Sequence, residues 1–250
     1  MAVRADNVPR EIFSSTGSKR QKYEQLIVGR PGWRALLRYE LVTLLARRAP
    51  GAFGLWLRSR LYPKLLGACG RNVFFGNDVT LRHPHKIRIG NDVVVDDGCV
   101  LDAKGADNDG ITIGSGVFLG RQTIVTTKDG GIVLEDGVNV SAFCLIFSAS
   151  RVRCGRNTLI AAYTYLVGGS HDVDRTDIAI IDQARPSHGI AIGPNCWLGA
   201  GVTVLDGVNV GRDAVIGANS VVTKDIDDFA VAAGSPAATI RRRAATTVAD

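Results

Sequence analysis

No apolar run in this 250-residue chain reaches the 18 or so residues that a membrane-spanning helix requires, so no helical span is expected. Arg4, Asp6, Arg10 and Glu11 interrupt the opening residues, which therefore lack the apolar core of a secretory signal, and a cytoplasmic location is expected. Cysteine is scarce and odd in number, five in all, with neither a CxxC nor a Cys–His pair. That disfavours a disulfide framework and a cysteine nucleophile alike and reads as buried free thiols in a reducing compartment. No RNA- or DNA-binding motif occurs. The formal charge of +6 is uneven: residues 1–66 hold 13 Lys/Arg and 4 Asp/Glu, hence +9, and the other 184 hold 17 and 20, hence −3. An acidic-leaning body is a poor nucleic-acid binder.

What the chain does have is a repeat. In GIAIGPNCWLGAGVTVLDGVNVGRDAVIGANSVVTKDI (residues 190–226), Ile192, Leu198, Val204, Val210, Ile216 and Val222 recur every six residues. Neither a helix nor a single strand has that period. Short strands joined by tight corners do, each strand giving the same side chain to one interior. The residue two before each is small or β-branched, as the two-residue period of a strand requires. Gly, Asn and Asp occupy the corners, where φ > 0 is wanted. The same phase runs back through Phe75, Leu81, Ile89, Val95, Leu101, Ile113, Leu119, Val125, Leu134, Val140, Ile146, Cys154, Ile160 and Leu166. Cys99, Cys144 and Cys196 fall two residues before such a position, and Cys154 occupies one. Only Cys69 lies outside the pattern.

Steps longer than six occur at 81→89, 101→113, 125→134, 146→154 and 166→192, always with two ordinary steps between them. Three strands per turn would put every insertion at one edge of a triangular prism. The expectation is an all-β solenoid of six to seven triangular coils with N-terminal helices and a short C-terminal helix. Residues 1–70 form a polar arm and helical segment, with helices over 33–49 and 52–66, the second interrupted near Pro63. Residues 71–226 form the solenoid, carrying a long loop over 167–189. Residues 227–250 supply a strand, a capping helix that starts at Pro236 and carries Arg241, Arg242 and Arg243, and a tail.

Gly169-Ser170-His171-Asp172, the run from Ile192 to Ala200, and the segments Ser220–Asp225 and Ala233–Ala237 make the chain resemble the hexapeptide-repeat acyltransferases. Within them it looks most like the branch of galactoside, maltose, nodulation-factor and colanic-acid O-acetyltransferases. The resemblance covers roughly residues 70–243. It implies a left-handed parallel β-helix, acetyl-CoA as cosubstrate, a saccharide acceptor, and a homotrimer with active sites between subunits.

His171 matches the family's general base, and an imidazole with an ordinary pKa of about 6.5 is suited to take a hydroxyl proton at neutral pH. Asp172 is a candidate to orient that ring. The oxyanion of the tetrahedral intermediate needs a donor. Relatives place an Asn thirty residues before the base, where this chain has Ser141. Ala200 and Ala218 match positions where the backbone meets the pantetheine arm. Thr223 and Lys224 match the nucleotide end, where an ammonium can pair with phosphate. Arg241 matches one family arginine, whereas the position of a second holds Ala238. Trp197 matches an aromatic beside the acceptor, although corner packing explains it equally well. A zinc hydratase built on the same prism would need a His-x4-His, which is missing, so no metal is expected, and His83 and His85 read as part of the first corner insertion.

The resulting expectation is an O-acetyltransferase acting on a sugar or saccharide precursor. Its rivals are an N-acyltransferase for an amino sugar or other amine, and a non-catalytic scaffold. Residues 33–66 mix Trp and Leu with Arg, which suits either a cap on the first coil or peripheral contact with the inner face of a membrane. The cap is the favoured expectation.

Overall fold

The computed structural model describes residues 17–105 and 108–244; the first 16 residues of the expected polar arm and the end of the expected tail lie outside them. Three parallel sheets form the faces of a prism. The first face runs from Ala68–Cys69 to Asn209–Val210 and the third from Thr80–Arg82 to Val221–Val222, with seven strands each. The second runs from Phe74–Phe75 to Val215–Ile216 and is extended by Ala230–Gly234 and Ala237–Arg242. Successive strands visit the faces in turn, so each pairs with the strand three further on, as Ile132 does with Ile111 and Val152. The fold is a left-handed parallel β-helix of about eight turns.

Most strands of the prism bury alternate residues, and every inward position named above is 4 % exposed or less. The slot two residues earlier faces the same interior where the chain has just turned. Polar residues are accepted there because a corner carbonyl satisfies them: Thr123 Oγ1 donates to Ser141 O at 2.9 Å and Thr158 Oγ1 to Gly193 O at 3.0 Å. Corners turn through left-handed backbone at Asn72, Asp92, Asn157, Asn195, Asp213 and Asn219, residue types that tolerate it. All five long insertions leave the edge between the third and first faces.

Two boundaries differ from expectation. Cys69 is inside the pattern after all: it pairs in register with Ile89, so the solenoid opens at Ala68 rather than residue 71. At the other end Ile226 bridges to Val210 and Ala232 pairs with Ile216. The stack thus has seven full coils and an eighth begun, more than the six to seven counted between Phe75 and Val222. The second difference is larger. The expected C-terminal helix is a strand, Ala237–Arg242, paired antiparallel with Ala230–Gly234. Ala and Arg favour helix locally, but Ala230–Gly234 offers a free sheet edge, and Thr239 and Ile240 fit a pleated surface.

The other end of the prism is closed by helices. Helix α1 (Lys19–Tyr23) starts at a capping box, with Gln21 N–H donating to Ser18 Oγ and Ser18 N–H to Gln21 Oε1. It continues into a π-helical turn, Glu24–Val28. Helix α2 (Trp33–Ala46) and helix α3 (Gly51–Leu61), followed by the 3-10 turn Tyr62–Lys64, form the cap itself. Its inner side buries Tyr39, Val42, Ala46, Arg58 and Tyr62. Tyr39 Oη donates to Leu81 O at 2.8 Å, Tyr62 Oη to Val79 O at 3.1 Å, and Arg58 to the carbonyls of Phe75, Ala46 and Ala49. His83 and His85 lie on the first corner insertion, as read. His83 N–H donates to Ile27 O at 2.8 Å and its Nε2 sits 2.9 Å from Gln25 O, so this corner docks the π-helical turn. Burial, and then the Arg30 charge, hold His85 down at about 4.

Candidate functional site

The segment between Gly168 and Ile190 is a two-legged projection from the fifth coil, whose strand Tyr165–Gly168 ends at the insertion-bearing edge. Its legs are tied to each other: Ser170 N–H donates to Pro186 O at 3.2 Å and Asp172 N–H to Ala184 O at 2.7 Å. His171 lies between these two rungs, its backbone held from both sides and its side chain exposed. Among the described residues no side chain or carbonyl bonds its ring. Further out, the buried Gln183 ties the tip by accepting from Arg175 N–H and donating to Arg175 O. At the base Asp206, on the next coil, accepts from His188 N–H at 2.7 Å, Gly189 N–H at 2.8 Å and Ser187 Oγ at 3.3 Å. Gly189 sits at φ +89°, and a Cβ there would come within 2.6 Å of Arg151 O. The loop re-enters the sheet only through glycine.

The structure does not bring Asp172 to the ring of His171. Its carboxylate accepts from Asp174 N–H at 3.1 Å and so stabilises the loop's own turn. Ser141, Ala200 and Ala218 occupy corners on one edge, between the second and third faces, with Ser141 half-buried and both alanines exposed. Thr223 and Lys224, both exposed, follow the last third-face strand and so share the edge of His171. Trp197 points outward from the second face and is 54 % exposed. Arg241 lies on the last strand opposite Val231, not on a helix. Within one chain, then, the candidate base and ammonium stand on one edge and the alanine positions on the next, with the third face between them.

Two features had no warning in the reading of motifs. One is Asp206, which looks like an ordinary corner Asp-Gly. The other is a stacked pair, Phe143 and Tyr163, with ring centroids 5.3 Å apart and planes at 5°. Both adopt left-handed backbone, at φ 59° and 62°, where bulky residues are uncommon. They are 47 % and 66 % exposed and lie on the same edge as Ser141, Ala200 and Ala218. Outward positions on the second and third faces are largely apolar, among them Phe74, Ile124, Leu159 and Trp197. Those of the first face include Arg88, Thr112, Arg153 and Asn209.

The thiols do not extend this site. All five cysteines are free, and burial pushes Cys99 and Cys154 up to about 12 and Cys196 to about 11, well away from the thiolate that a nucleophile requires. Among the described residues no group of three or more potential metal ligands converges.

Comparison with known proteins gives two matching family models: bacterial transferase hexapeptide (six repeats), over residues 189–224, and hexapeptide repeat of succinyl-transferase, over residues 110–142. A putative lipopolysaccharide biosynthesis O-acetyl transferase of Escherichia coli, WbbJ, is 33 % identical over 151 residues, which are 58 % of this chain and 76 % of that protein. A probable acetyltransferase of Mycobacterium tuberculosis is 27 % identical over 63 % of this chain and 55 % of its own length. The galactoside O-acetyltransferase of Lactococcus lactis is 43 % identical over 36 % of this chain and 40 % of its own. The chain thus spans about half the length of several curated relatives it matches. Among solved structures, a point mutant of AntD, an N-acyltransferase from Bacillus cereus in complex with dTDP and coenzyme A, superposes with a TM-score of 0.50. It has 23 % identity and covers 73 % of this chain and 87 % of its own. That likeness carries the fold.

Proposed function

Because the chain belongs to the hexapeptide-repeat transferases, we propose that it transfers an acetyl group from acetyl-CoA to a hydroxyl of a sugar or saccharide precursor. The observation that carries this reading is His171, braced by backbone rungs on either side with its ring turned to solvent. The imidazole would take the proton of the acceptor hydroxyl as that oxygen attacks the thioester carbonyl. A tetrahedral oxyanion forms; its collapse breaks the carbon–sulfur bond and expels the coenzyme A thiolate, which takes up a proton. Ser141 is our candidate for the oxyanion donor, since its hydroxyl replaces the family amide. The name of the Escherichia coli relative, 33 % identical, supports oxygen over nitrogen as the acceptor atom.

Geometry supports a homotrimer. The alanines at 200 and 218 leave an edge where a thin pantetheine arm can approach the backbone, and Lys224 offers a cation for phosphate, but they stand on different edges of one chain. A neighbour that laid its insertion-bearing edge against the alanine edge would unite them. The apolar outward positions of the second and third faces, and the Phe143–Tyr163 stack between them, fit burial in such a contact. In this reading three equivalent sites lie between subunits in the cytoplasm, Arg241 and Thr223 help hold the nucleotide end, and Trp197 borders the acceptor.

A thiol-release assay with acetyl-CoA tests the reading. We expect coenzyme A release to depend on a hydroxyl sugar and to give an alkali-labile O-acetyl ester. Release with amino sugars alone would move the acceptor to nitrogen, and no release with either class would leave the scaffold.

A further inference from the structure

The cap has a second side that capping does not use. On α2 the buried residues Tyr39, Val42 and Ala46 lie on one face. At 100° per residue, Trp33, Leu37, Leu41 and Leu44 fall on the opposite one and Leu45 on its flank, and all five are exposed, Leu44 at 81 %. Phe53 and Trp56 of α3, stacked at 6.0 Å, are exposed as well. Between the helices runs an open apolar groove of about 380 Å³ lined by Trp33, Leu37, Leu41, Leu45 and Leu61. Arg34, Arg38 and Lys64 rim it.

Charge decides what such a face can meet. Residues 33–66 carry six arginines and one lysine against a single acid, Glu40. Arg47 and Arg48 face Asp78, and Arg58 is buried in the cap. Arg34, Arg38, Arg60 and Lys64 have no acidic partner among the described residues, and Arg34 instead lies 5.5 Å over the Trp33 ring. A second copy docked here by two-fold symmetry would set these cations against their own images. A surface with apolar depth beneath a negative plane answers both features: rings and leucines enter the headgroup boundary while arginines pair with phosphate.

We propose that the outer face of α2 and α3 docks on a bilayer surface containing anionic lipid, so that the prism stands on its helical cap. The inference rests on shape and charge alone and does not depend on the acetyl-transfer reading.

Co-sedimentation with phosphatidylcholine vesicles, with and without one-third phosphatidylglycerol, tests it on the full chain. Binding should require the anionic lipid and weaken with salt. Each cation near such a surface contributes about 1 kcal/mol, so Arg34→Gln, Arg38→Gln and Lys64→Gln together should weaken binding about a hundredfold. Leu37→Ser, Leu41→Ser and Leu44→Ser together should abolish it while the oligomeric state seen by light scattering is unchanged. Should the serine variant fail to fold, acyl-chain-brominated lipids should still quench the wild-type tryptophans, and Trp33→Phe with Trp56→Phe should remove that quenching. Negligible binding to both vesicle types at low salt would overturn the proposal. So would binding indifferent to these substitutions, or a serine variant that dissociates into smaller species, which would assign the face to another copy of the chain.

Discussion

His171 carries the chemistry proposed here, and its surroundings make it separable from the fold. The rungs Ser170–Pro186 and Asp172–Ala184 involve backbone only, so truncating the imidazole leaves them intact. His171→Ala should lower kcat by about 10²–10⁴, the usual worth of a general base, with unchanged circular dichroism and thermal midpoint. A variant that kept most of its acetyl transfer would remove this residue from the mechanism. His171 could be singled out in the sequence as a candidate because a four-residue motif marks it. Asp206 was not, because an Asp at a corner is chemically ordinary until the loop it anchors is seen above it. Phe143 and Tyr163 escaped for a related reason. Their positions in the six-residue phase call for a turn residue, and only the structure shows two rings there, stacked across adjacent coils.

At the scale of elements, the strands were readable because each repeats one local rule, whereas the ends of the stack obey no repeat. The cap shows the contrast. Helical segments over 33–49 and 52–66 follow from composition, and the helices found, Trp33–Ala46 and Gly51–Leu61, are shorter, yet only the packed structure divides α2 into a buried and an exposed side. Arg58 locks that division, since its guanidinium serves three carbonyls from within the cap. Arg58→Met keeps the stem and orphans those acceptors. Leaving buried polar groups unpaired should cost about 3 kcal/mol in all, measured as a lower denaturant midpoint, with activity per folded molecule retained. The last strand failed the other way. Residues 237–243 carry helix formers behind a proline, and nothing local announces that Ala230–Gly234 waits with an open edge; tertiary pairing overrode propensity.

For the whole molecule, one number, six, prescribed the strand and its corner, and the five longer steps, each two ordinary steps apart, prescribed three faces and a single decorated edge. That much was legible because interruptions of a repeat are as periodic as the repeat itself. The proposed assembly is written more faintly, in the outward apolar positions of the second and third faces. Light scattering should give three times the chain mass, and Leu159→Asp with Phe143→Asp should reduce it to one. Mixing His171→Ala chains with Ala200→Trp chains should restore part of the lost activity, because in the proposed trimer the base and the alanine edge come from different subunits; activity in a monomer would contradict the shared site. The regular stack also fixes a distance. Along the third face four strand-to-strand steps separate Thr80–Arg82, beside the cap, from Tyr165–Gly168, where the loop leaves. At about 4.8 Å each these amount to roughly 19 Å, to which the cap between the first coil and the surface adds about one helix diameter, roughly 10 Å. A solenoid that stands on its cap is therefore a ruler: an acceptor tethered in the surface below reaches the loop only when its polar part is about that long, and each coil inserted or lost between cap and loop would change the permitted length by one graduation.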